Sequence, residues 1–144
     1  MNIMQELDLL VEGTFTEGLY PADLLVLQQR IAGYRYRLAE MVSTLSKRAM
    51  QSEVDRKSVF AKAKLTAKAE SVGGKPLGEA AAADTAEQRP EVIRARHEEI
   101  MAQAEYEAAK MKMQASGDVL NSLQMRLANA RDEAKNTRNI STHS

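Results

Sequence analysis

Apolar residues recur three and four apart through the first half of the chain: Leu24, Leu27, Ile31, Tyr34, Leu38, Met41 and Leu45. Steps of this size keep all seven on one stripe of an α-helix, and over three repeats they form the heptad seam of coiled-coil packing. Beyond Leu45 the same stepping meets Arg48, Ser52 and Asp55, so the seam is expected to fail there. Only Val54, Val59, Phe60, Leu65 and several alanines remain. A second series runs Val92, Ala95, Glu99, Ala102, Tyr106, Ala109, Met113, Ser116, Leu120, Leu123, Leu127, Ala130 and Ala134. Its large side chains come late, from Met113 to Leu127.

Pro21, Pro76 and Pro90 punctuate these stretches. Proline removes a backbone donor and ends a helix, so long proline-free runs are read as uninterrupted helices. The pattern predicts helices over about 2–12, 22–71 and 91–137, a connector at 72–90 and a disordered polar tail at 139–144. Ile3, Leu7, Leu10 and Val11 give the first helix one apolar side. Gly73 and Gly74 are expected to end the second, and Glu79 to Asp84 to form no more than a transient turn in a mobile connector. The fold class is all-α: a single antiparallel helical hairpin over 1–138 with a short N-terminal helix. Folding at the connector sets 24–45 beside 113–134, so the large apolar halves meet at one end and the alanine-rich halves at the other. Leu25, Val26, Tyr36, Val42, Val119 and Met125 are then surplus. The short helix covers some of them, and assembly into a homo-oligomer is expected to cover the rest.

Composition narrows the function. The 144 residues include no Cys and no Trp, two Phe and four Tyr. Disulfides, Cys-ligated zinc and a thiol nucleophile are thereby excluded. An aromatic-rich enzyme core is not expected, nor is a cofactor. His97-Glu98-Glu99-Ile100-Met101 begins like a zinc-protease helix, but Met101 stands where the second His belongs, and no metal site is expected. Gly73-Gly74-Lys75 lacks the upstream Gly and the following Ser or Thr of a phosphate loop. The N-terminus is acidic, without a basic signal region, and no apolar run approaches the ~20 residues of a bilayer span. A cytoplasmic location with no membrane partner is expected.

Lys plus Arg and Asp plus Glu each total 20, yet the charge is unevenly placed. Residues 1–46 are net −3, residues 47–75 net +5 and residues 76–144 net −2. The basic block falls where the apolar seam is expected to fail. At ~100° per residue, Lys57, Lys64 and Lys68 fall on one stripe, with Lys62 elsewhere on the helix. A lysine stripe suits a phosphate backbone, whose regular charges need no base-specific geometry. It equally suits a solvated face that keeps a hairpin soluble. Phe60, inside the block, is either a core residue or a platform for an unpaired base.

The run Phe60-Ala61-Lys62-Ala63-Lys64-Leu65 resembles the Leu-Lys-Ala-Arg-Leu motif of UvsY-type phage recombination mediators. The layout is similar too: a short acidic N-terminus, a long helix carrying the motif, a Gly-containing loop and a second long helix ending in a leucine-rich segment, here Val119 to Leu127. Lys64 stands where the motif has arginine, which keeps the charge and loses the bidentate fork. The resemblance implies a phage-encoded protein that binds single-stranded DNA, forms ring-like homo-oligomers and helps a recombinase displace single-strand-binding protein. Carried over by position, DNA contacts fall on Lys62 and Lys64, and the charge pattern adds Lys57 and Lys68. The competing reading is a helical structural or adaptor protein, or an inhibitor, acting through protein–protein contacts.

Overall fold

The computed structural model describes residues 2–16, 18–72 and 74–142. They form four helices, α1 (Ile3–Thr14), α2 (Pro21–Ala69), α3 (Glu79–Glu87) and α4 (Pro90–Thr142). A two-residue antiparallel pair, β1 (Ser71–Val72) with β2 (Lys75–Pro76), turns the chain between α2 and α3. Gly74 there has φ +81°, a left-handed conformation open to glycine at little steric cost. The expected all-α class holds. Packing divides the chain into two compact units, 1–42 with 109–144 and 43–108.

The first unit is built on large aliphatic side chains. Leu24, Ile31 and Leu38 of α2 are buried, while Leu27, Tyr34 and Met41 on the same seam are half-buried. Leu123 and Leu127 of α4 are buried, as the spacing predicts. Leu7 of α1 is fully buried, so the N-terminal helix does cover part of the core. An Asn2–Gln5 capping box satisfies the first free N–H groups of α1. Arg126 Nη1 donates to the Thr14 carbonyl at 2.7 Å, and Lys112 pairs with Asp8. Arg35 donates through Nε to Ser116 Oγ at 3.0 Å and through Nη2 to the Met113 carbonyl at 3.2 Å. Gly117 makes room for that guanidinium, since a Cβ there would lie 2.9 Å from Nη2.

The second unit differs from the sequence expectation in two respects. First, the α2 seam does not fail after Leu45. Leu45, Ala49, Ala63 and Ala67 are buried, and Ser52, Arg56 and Val59 are half-buried between them. From Met41 the steps to Leu45 and Ala49 are both four residues, which shifts the stripe by part of a turn, as a coiled-coil stutter does. Strict heptad stepping therefore ran off the packed face onto Arg48 and Asp55. Second, the connector contains α3, whose Ala82 and Ala86 are fully buried. Ala63, Ala86 and Val92 form a small core with Val59 and Phe60 against it. Phe60 is thus a core residue.

Alanine buries little area, so this unit gains little from the hydrophobic effect. Ion pairs accompany its thin core: Arg48 with Glu105 at 3.3 Å, Arg56 with Glu99, Arg89 with Glu70, and Arg96 with Glu87. Arg56 and Glu99 are the least exposed of these partners, so theirs is the pair least screened by salt.

At its far end α4 continues to Thr142, where a disordered tail is expected from residue 139. Residues 131–140 are all exposed, so this stretch extends α4 without burying a face. The remainder of that expected tail, 143–144, lies outside the described residues, as does Gly73.

Candidate nucleic-acid interface

The four sequence-predicted lysines all lie in α2 within the second unit, yet they stand in different surroundings. Lys62 is exposed and has no ion pair among the described residues. Lys57 is exposed and pairs with Glu53 one turn earlier at 2.7 Å, a surface contact that solvent and salt screen. Lys64 and Lys68 are half-buried, and both reach Glu79 in the first turn of α3. Their ammonium groups take one carboxylate oxygen each. The four lysines are therefore divided: Lys57, though paired with Glu53, and Lys62 are open to solvent, whereas Lys64 and Lys68 are half-buried against Glu79.

The reason lies in α3. Burial of Ala82 and Ala86 docks that helix beside α2, and Glu79 lies three residues before Ala82. Lys64 and Lys68 are one helical turn apart and point the same way. Two cations then converge on one anion, leaving the trio one positive charge in excess. No spacing rule within α2 signals this, because the partner belongs to another element.

The Glu79 carboxyl is held down to about 2 from its ordinary 4.5, chiefly by the hydrogen bond from Lys64 and next by that from Lys68. A depressed carboxyl pKa contributes stability above its unfolded value, and that contribution is lost as pH falls through the folded value. Wild type should therefore melt above Glu79→Gln at pH 6, and the gap should close as pH falls from 4.5 toward 2. Thermal unfolding of the two proteins across that range checks this. A gap independent of pH would deny the ion pair its role.

A second feature of this surface is the apolar lane between the open lysines. At ~100° per residue, Lys47, Met50, Val54, Lys57, Ala61 and Leu65 fall within about 80° of one another, and Lys62 borders them. Met50, Val54 and Leu65 are 63, 59 and 67% exposed. Ala49, Ala63 and Ala67 face the packed side. Charge counting alone missed this lane, although the spacing of Met50, Val54, Ala61 and Leu65 carries it.

Elsewhere in the unit a shallow groove of 610 Å³ is lined by Arg56, Arg96, Glu99 and Ile100 among others. Glu99 is already held there by Arg56. His97 is exposed, and among the described residues no three His, Cys, Asp or Glu side chains gather as metal ligands would. No helix among them is long and apolar enough to cross a membrane. The chain matches no protein-family model, no curated protein and no solved structure.

Proposed function

We propose that this chain is a single-stranded DNA-binding recombination mediator. It acts as a homo-oligomer of helical hairpins that helps a recombinase onto DNA covered by single-strand-binding protein. The observation that carries this reading is the outward face of α2, where Lys47, Lys57 and Lys62 surround the exposed lane of Met50, Val54 and Leu65. Lysines at the rim suit phosphates, and an apolar floor suits unpaired bases, whose faces duplex DNA does not present. The motif resemblance around Phe60 to Leu65 points the same way. Self-association is supported in the first unit by Leu25, Val26, Tyr36 and Met125, which stay exposed at 43–73%. A ring would repeat a modest basic face several times and raise its avidity without any new contact.

One observation favours a second reading. Glu79 occupies Lys64 and Lys68, and much of the basic block is spent on ion pairs. A helical adaptor would use the same lane to dock an amphipathic partner helix.

Titration with a fluorescent oligonucleotide at two salt concentrations separates them. The mediator reading expects binding at low salt that weakens steeply, with a log–log slope of about −0.7 per phosphate contacted. No retardation at low salt would leave the adaptor. Sedimentation tests the oligomer independently, with a clean monomer as the result against it.

A further inference from the structure

We propose that Glu79 is an internal stand-in for a phosphate: its carboxylate occupies the Lys64–Lys68 pair until a phosphodiester of the bound strand displaces it. The inference rests on the DNA-binding reading above and adds to it a mutually exclusive contact.

The geometry supports exchange. Lys64 meets Glu79 Oε1 and Lys68 meets Oε2, so the two ammonium groups bridge one singly charged group through two oxygens. A phosphodiester likewise carries one negative charge on two non-bridging oxygens, and it fits the same fork. Glu79 is 66% exposed, so an incoming strand reaches the trio without opening the core. Its departure requires only a side-chain rotation, because α3 is docked through Ala82 and Ala86 rather than through Glu79. The N-cap of α3 is Gly78, which makes no side-chain cap. A Glu79 carboxylate released from the lysines still lies in the first turn, where it meets the positive end of the helix dipole. The displaced state therefore leaves no charge stranded.

The arrangement gives the face two levels of response. Lys57 and Lys62 offer the first contacts, and Lys64 and Lys68 join only when the strand's local phosphate concentration outcompetes a tethered carboxylate. A short or weakly held anion would not displace it.

The test is oligonucleotide binding to wild type, Glu79→Gln, Asp84→Asn and Glu79→Gln combined with Lys64→Ala and Lys68→Ala, each checked for helicity. Asp84→Asn removes the same charge from an exposed position on α3 and controls for net charge. Glu79→Gln should bind about three- to tenfold more tightly at low salt, with a salt slope steeper by ~0.7 to 1.4 for one or two added phosphate contacts. Asp84→Asn should change little, and the triple variant should lose the gain. If wild type binds and Glu79→Gln binds no better than Asp84→Asn, the stand-in role is overturned while DNA binding survives. If neither binds at any salt, both readings fall together.

Discussion

Leu38→Ala should lower stability by about 2–5 kcal/mol, the usual cost of emptying a fully buried leucine site. Leu38 is fully buried in the first unit, flanked along the α2 seam by Ile31 and Leu45. Its loss removes contacts that helix propensity cannot replace, since alanine's gain over leucine in a helix is only a few tenths of a kcal/mol. Leu65→Ala is the matched control. The same atoms are deleted from a side chain 67% exposed, and the change should stay within about 0.5 kcal/mol. Urea titrations followed by circular dichroism measure both. Equal effects at the two positions would mean that α2 does not pack on the side its seam specifies.

Lys57→Ala combined with Lys62→Ala should weaken oligonucleotide binding on the order of tenfold at low salt and flatten the salt slope by ~1.4. These two are chosen because neither supports the fold. Lys62 has no ion pair among the described residues, and Lys57 has only an exposed contact with Glu53. Removing Lys64 or Lys68 instead would also break a contact with Glu79, so the change in binding would mix a lost phosphate contact with the loss of that ion pair. Helicity and sedimentation should match wild type. Unchanged binding in a protein that does bind DNA would move the interface off the outer face of α2.

The two predictions touch opposite faces of one helix, and the faces were not equally legible. The buried face was readable from Leu24 to Leu45 because large aliphatic residues at three- and four-residue steps have one way to leave water together. Beyond Leu45 strict heptad stepping leaves the packed face. A four-residue step to Ala49 rotates the stripe, and alanine is too small to announce which side it faces. The exposed face shows in the sequence through its charges, which mark Lys57 and Lys62, whereas the lane of Met50, Val54 and Leu65 carries no charge to mark it.

α3 shows the same limit from another side. Its alanines favour helix anywhere, but only docking against Ala63 and Val92 makes a helix of residues 79–87 part of a core. Arg35 is a further case. Its bond to Ser116 spans 81 positions, and nothing near either residue in the chain foretells it.

Local order thus specified α1, α2 and most of α4, the aliphatic core and the crowding of positive charge in residues 47–75, because each depends on residues within a few turns of one another. Tertiary structure decided which of those charges are free. An ammonium group's partner is whichever carboxylate the fold brings within reach, and for Lys64 and Lys68 that carboxylate comes from a helix whose docking the linear sequence does not encode locally.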